Sequence, residues 1–135
     1  MRLYWSESWV SIWIGMPPSQ EALDRYVEEH YGLGRPPSQF AVEFGVDFYD
    51  SDFRDTLFSQ QALDAGTFLS RGFSYWESFV DLVRAAEPER QGTNNGTALI
   101  ALYDVRYGLG ADTPRKSHGF RFVGAFPYVK DVSAA

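Results

Sequence analysis

The sequence predicts one α+β domain in which an antiparallel sheet packs against several helices, and three features carry that expectation. Val10, Ile12 and Ile14 alternate with Trp9, Ser11 and Trp13, the period-two pattern of a strand with two usable faces. Thr97 to Tyr107 opens with an unbroken apolar run from Ala98 to Leu102, as expected of a central strand covered on both sides. Between these segments, serine-led stretches repeat apolar residues at helical spacing.

Taken in order, the strand near 8–14 is stopped by Gly15-Met16-Pro17-Pro18. Ser19 is then placed to cap a helix over 19–31, with Leu23, Tyr26, Val27, His30 and Tyr31 on one face and Glu21, Asp24, Arg25, Glu28 and Glu29 on the other. After the Gly32–Pro37 loop, Ser38 caps a shorter helix over 38–44, carrying Phe40, Ala41 and Phe44 and ended by Gly45. Phe53, Leu57 and Phe58, preceded by Asp52 and Asp55, suggest a third helix over 51–58. Ser74-Tyr75-Trp76-Glu77 reads as a capping box opening a helix over 74–86, with Trp76, Phe79, Val80 and Val83 inward and Pro88 limiting its extent. Asn94-Asn95-Gly96 marks a turn into the strand near 97–107, from which Asp104 and Arg106 emerge on one face. In the last strand, near 119–128, Phe120, Phe122, Gly124, Phe126 and Tyr128 alternate with Arg121, Val123 and Ala125. These two strands are expected to pair with each other, and one further strand is expected.

Composition sets the bounds. A chain of 135 residues with 44% apolar content can bury one core. An aromatic share of 17% means that much of this core is Phe, Tyr and Trp, and four tryptophans suggest that some lie at a surface. The absence of cysteine excludes disulfides, thiolate nucleophiles and cysteine-ligated metals. Glu7 falls where the apolar run of an export signal would be, so a cytoplasmic location is expected. No window approaches the roughly 18 apolar residues of a membrane span.

A net charge of −6 works against nucleic-acid binding, which needs clustered Lys and Arg, and favours a basic partner. The excess is local: residues 21–64 carry ten acids against Arg25, Arg35 and Arg54, a net of −7.

The usual catalytic constellations are missing. His30, on the apolar face of its helix, reads as structural, and His118, beside Lys116 and Gly119, as an exposed loop residue. Gly32-Leu33-Gly34 and Gly108-Leu109-Gly110 read as turns, since the first runs into Arg35-Pro36-Pro37 and the second lacks a third glycine. Asp50-Ser51-Asp52 with Asp55 hints at a cation, but the glycine and glutamate of a calcium loop do not follow. No metal site and no cofactor are expected. Ser74 is taken up by its cap.

What stands out is the stretch from Glu43 to Asp64, six acids against Arg54, interleaved with Phe44, Phe48, Tyr49, Phe53 and Phe58. Two readings stand. In one, the aromatics point inward and the acids only solvate a surface. In the other, the acids mimic a phosphate backbone or pair with Lys and Arg of a basic protein, giving fast, salt-sensitive association. On the second reading the partner-binding residues are drawn from Glu43, Asp47, Asp50, Asp52 and Asp55.

The run Trp9-Val10-Ser11-Ile12-Trp13-Ile14-Gly15 followed by an acidic helix, then Pro37-Ser38-Gln39-Phe40-Ala41 and Phe44-Gly45-Val46, resembles the immunity protein 22 family of bacterial polymorphic-toxin systems. Tyr49-Asp50-Ser51-Asp52-Phe53, Gly72 to Phe79, Ala98 to Tyr103 and the closing Phe122 to Tyr128 follow in the same order, so the resemblance spans about residues 8–128. It implies a non-catalytic cytosolic antidote, encoded beside a secreted or contact-delivered toxin that is often a nuclease, which protects the producer by binding that toxin. Two rivals are a small hydrolase assembled from scattered carboxylates, for which a pocket holding two or more of Glu43, Asp47, Asp50 and Asp104 would speak, and a ligand-binding module using Trp5, Trp9, Trp13 or Trp76 as a stacking platform.

Overall fold

In the structure, a computed structural model that describes residues 5–28, 38–46, 51–86, 95–108, 116–117 and 119–130, strand β1 (Trp5–Gly15) runs through the middle of the sheet. Its alternation divides the protein in two. Val10, Ile12 and Ile14 enter one core and Trp13 the other, all of them buried.

The first core lies beneath α1 (Gln20–Val27) and α2 (Gln39–Phe44). Ser19 caps α1 by accepting from the Ala22 N–H at 3.1 Å, and Ser38 caps α2 by accepting from the Ala41 N–H at 3.0 Å, as the sequence predicts. Gly45 closes α2 at φ 69°, a left-handed conformation that lets Val46 N–H reach the Ala41 carbonyl at 2.9 Å. Helix α1 ends at Val27 rather than near 31; His30 and the Gly32–Pro37 loop lie outside the described residues, as does His118.

The segment expected to be a third helix over 51–58 is instead a single 3₁₀ turn, Ser51–Phe53, leading into β2 (Arg54–Leu63). Leu57 packs against one core and Phe58 against the other. The apolar edge of the neighbouring strand β3 (Gly96–Val105) offers a full ladder to pair with, and this long-range gain overrides a weak local helical pattern. β2 is the further strand expected from the sequence.

After β2, α3 (Ala65–Leu69) starts at an unforeseen cap, Asp64, which accepts from the Thr67 N–H at 3.2 Å and its hydroxyl at 2.6 Å. Burial alone would raise the Asp64 carboxyl, but the Thr67 bonds and nearby Arg84 outweigh it and hold it below the ordinary value of 3.8. The capping box at Ser74 does not form. Tyr75 is left-handed at φ 58° with no side-chain cap, a 3₁₀ turn follows over Trp76–Ser78, and α4 begins only at Val80 and runs to Ala86. Together α3 and α4 cover the second core.

β4 (Lys116–Ser117) and β5 (Phe120–Pro127) complete a five-stranded antiparallel sheet in the order β2-β3-β1-β5-β4. β3 and β5 therefore do not pair, as the sequence had suggested; each pairs with β1. The expected single-faced alternation of β5 is also interrupted. Ile12 pairs with Gly124 but Trp13 with Phe122, so Val123 is the extra residue of a bulge. Phe120 and Phe122 join the first core, whereas Phe126 and Tyr128 join the second.

Trp13 centres the first core. Its ring, fully buried, meets Phe40 edge-on at 4.9 Å and lies 5.1 Å from Tyr107 and 5.2 Å from Phe122. Beside it Ser11 donates to the Val105 carbonyl at 2.6 Å and accepts from the Tyr107 N–H at 2.9 Å, satisfying a buried hydroxyl while tying β1 to the end of β3. Replacing Trp13 with Ala should cost about 3–5 kcal/mol, by lost burial and the cavity left among those rings. Urea unfolding monitored by circular dichroism checks this; a loss below about 1 kcal/mol would show that the core closes over the gap.

Candidate partner-binding pocket

Asp104 is the most unusual residue of the sheet. It sits inside β3 at φ 62°, a conformation non-glycine residues rarely adopt, and its side chain reaches Tyr128 on the side faced by Tyr103. The alternation of β3 reverses there: Leu102 lies in the first core, and so do Val105 and Tyr107. Asp104, which the sequence pattern puts on one face of the strand with Arg106, is only 3% exposed.

A buried carboxylate needs partners, and Asp104 has them on both oxygens. Oδ1 accepts from the Ser8 N–H at 3.0 Å and the Tyr128 hydroxyl at 2.8 Å, and Oδ2 from the Lys130 ammonium at 2.9 Å. Burial would raise this carboxyl, but the bonds from Lys130, Tyr128 and Ser8 outweigh it and hold it below its ordinary value of 3.8. Ser8, itself at φ 67°, accepts in turn from the Tyr128 N–H at 3.0 Å.

Around this carboxylate opens a pocket of about 230 Å³, lined by Asp52, Phe53, Asp55, Ser74, Tyr75, Tyr103, Asp104, Tyr128 and Lys130. Four separate parts of the chain supply its wall: the start of β2, the turn before α4, the end of β3 and the residues after β5. The Asp55 carboxylate accepts from the Ser74 N–H at 2.9 Å, and the Ser74 carbonyl accepts from the Tyr103 hydroxyl at 2.7 Å. The left-handed Tyr75 is the hinge of this arrangement, turning the chain so that Ser74 faces β2 and β3 instead of capping a helix.

Three tyrosine rings pack together at the pocket: Tyr75 lies 5.5 Å from Tyr128 and 6.1 Å from Tyr103, and Tyr103 lies 5.3 Å from Tyr128. Of the aromatic residues in this wall, Phe53 and Tyr75 are left 43% and 42% exposed. Burial, helped by the neighbouring Asp55 charge, pushes the Tyr103 phenol well above its ordinary value of 10.0. The Asp104 carboxyl is thus held ionised and the Tyr103 phenol protonated; neither is tuned to exchange a proton near neutral pH. The pocket wall combines negative charge, hydroxyls and aromatic surface.

Of the five acids singled out in the sequence, Asp52 and Asp55 come together here. Glu43 lies on the other side of the sheet, on α2, where it accepts from the Tyr26 hydroxyl at 2.9 Å and the Gln39 amide at 2.8 Å. Asp47 and Asp50 lie outside the described residues. Among the described residues, no group of three or more His, Asp or Glu is arranged to hold a metal ion. Of the tryptophans that the rival reading would use as a stacking platform, Trp13 is buried, Trp9 lies under the Arg106 guanidinium at 3.7 Å, and Trp76 packs half-buried against the second core. The side chain of Trp5 lies outside the described residues. Exposed aromatic surface belongs instead to Phe53 and Tyr75. The sequence reading missed Tyr75, Tyr103, Tyr128 and Lys130; the only local signal was a lone acid, Asp104, closing an apolar strand.

Replacing Asp104 with Asn keeps a residue that tolerates the left-handed backbone but removes the charge, and should cost about 2–4 kcal/mol at neutral pH. Because the folded-state carboxyl is depressed, its stabilisation is complete above the ordinary value of 3.8 and is lost as pH falls through the lower folded-state value. Urea midpoints of the two proteins should therefore differ at pH 7 and converge in acid. A gap that persists unchanged to the most acidic pH at which both fold would mean that charge is not what Asp104 contributes.

No helix among the described residues is long and apolar enough to cross a membrane. A search of curated proteins and a search of solved structures each returned no match. The family model described as Immunity protein 22, in contrast, matches residues 10–129, from the second half of β1 to the Val129 that follows β5. That match takes in both cores and every residue of the pocket wall except Lys130, and the chain therefore belongs to the Immunity protein 22 family.

Proposed function

We propose that this chain binds a bacterial toxin in an equimolar complex and neutralises it without catalysing any reaction, using the face around Asp52, Asp55 and Tyr75 as the docking surface. Family membership supports a toxin as the partner. The observation that carries the choice of face is the coincidence, in one pocket wall, of three carboxylates with exposed Phe53 and Tyr75. Interfaces combine these features: aromatic anchors at the centre supply affinity, and charge supplies speed and choice of partner.

A net charge of −6 fits a basic toxin of the nuclease type, whose nucleic-acid site an acidic surface can imitate. Asp47 and Asp50, close to Asp52 in sequence, remain candidate partner-binding residues; Glu43, across the sheet and held by Tyr26 and Gln39, would lie away from this face. In this reading the antidote acts in the cytoplasm of the producing cell. A small-molecule site is the weaker alternative, since about 230 Å³ falls below the roughly 300–1,000 Å³ of ligand pockets.

Co-expression with the toxin encoded beside it, followed by co-purification and light scattering, should give an equimolar complex that protects cells from the toxin. Combining Asp52→Lys with Asp55→Asn should slow association about tenfold or more at low salt and less at high salt. Lack of any complex would overturn the toxin reading, and an unchanged association rate would remove this face from it.

A further inference from the structure

We infer that the pocket between Asp55, Asp104 and the tyrosines is a socket for a single arginine side chain of the toxin. This deepens the function proposed above and rests on it for the identity of the partner. Size comes first: about 230 Å³ is small for a separate ligand but suits one inserted side chain. Charge comes second, since three carboxylates and one ammonium belong to the pocket wall.

The third argument is that this wall already holds a cation. Lys130, from the tail after β5, places its ammonium 2.9 Å from Asp104 Oδ2 and 6.0 Å from the centre of the Tyr128 ring. With its side chain 43% exposed, Lys130 shares the pocket wall with Asp52 and Asp55. Acids alone would serve Lys or Arg equally. Tyrosine faces tip the choice to arginine, because a guanidinium is weakly hydrated, stacks flat on aromatic rings and presents a fork of donors to a carboxylate, whereas an ammonium gives up its hydration reluctantly. Tyr75, 42% exposed, is the ring open to stacking, and Tyr128 backs it at 5.5 Å with a tilt of 31°.

The direct probe is acetyl-arginine methylamide, titrated into the full chain carrying labelled tyrosine and followed by NMR. Saturable shifts of the Tyr75, Tyr103 and Tyr128 ring signals are expected, with a dissociation constant on the order of 1–10 mM for so small a ligand. The lysine analogue should bind several-fold more weakly. Tyr75→Asn, which removes the ring with a residue that tolerates the left-handed backbone, should weaken the arginine probe about tenfold in a protein whose circular dichroism spectrum shows it folded.

Absence of saturable ring shifts, or equal binding by the Tyr75→Asn protein, would overturn the socket. The toxin provides the second arm: Tyr75→Asn and Asp55→Asn should each weaken the complex about tenfold, with Asp24→Asn on the exposed side of α1 as the unaffected control. Toxin bound normally by both pocket variants would sink the socket alone. Arginine bound in the pocket, with no toxin bound by the unaltered protein, would sink the toxin reading alone.

Discussion

An ionised carboxylate buried at the end of a central strand must be solvated by the protein around it, and much of this structure is arranged to solvate Asp104. Its two oxygens gather the Ser8 N–H, the Tyr128 hydroxyl and the Lys130 ammonium, and so bind the start of β1, the end of β3 and the chain beyond β5 into one corner. Ser8, Tyr75 and Asp104 are the non-glycine residues with left-handed backbone among those described, and all three belong to this corner or its rim. Each such conformation costs on the order of 1–3 kcal/mol and persists only where its surroundings over-determine it. Here two cores of aromatic and aliphatic side chains on either side of the sheet provide that excess.

The sheet makes the site possible by being covered on both faces. β3 is buried along nearly its whole length, so its one acid is forced to find partners instead of water. The bulge at Val123 turns the end of β5 over, sending Phe126 and Tyr128 to the α3 and α4 side while Phe120 and Phe122 remain on the α1 side. Without that reversal the Tyr128 hydroxyl would point away from Asp104. Stability alone does not explain one part of this wall: Phe53 and Tyr75 leave apolar surface in water in a pocket that also holds carboxylates. A partner that covers the apolar rim and supplies positive charge satisfies both at once.

What depends on neighbours in sequence could be read from it. The alternation of β1, the doubly apolar run of β3, the serine caps at Ser19 and Ser38 and the stop at Gly45 are all local signals, and each appears where the pattern places it. β2 could not be read, because Phe53, Leu57 and Phe58 fit a helical face until the open edge of β3 is known to need a partner. The pairing of β3 and β5 with β1 instead of each other is likewise a property of the whole chain. At Ser74 a capping motif was present in the letters, but Asp55 and Tyr103 claim its backbone groups and Tyr75 bends the chain away. Of the candidate pocket, Asp52 and Asp55 stood out in an acidic, aromatic stretch, whereas Tyr103, Asp104, Tyr128 and Lys130 reach them from distant segments by folding.

Hydrogen–deuterium exchange of the chain alone and in complex with its co-encoded toxin locates the docking face most directly. Slowed exchange on binding is expected at Phe53–Asp55, Ser74–Tyr75 and Tyr128–Lys130, with little change on α1 and α2. Protection confined to α1 and α2, with the pocket residues exchanging as in the unbound chain, would contradict the assignment of this face to toxin recognition.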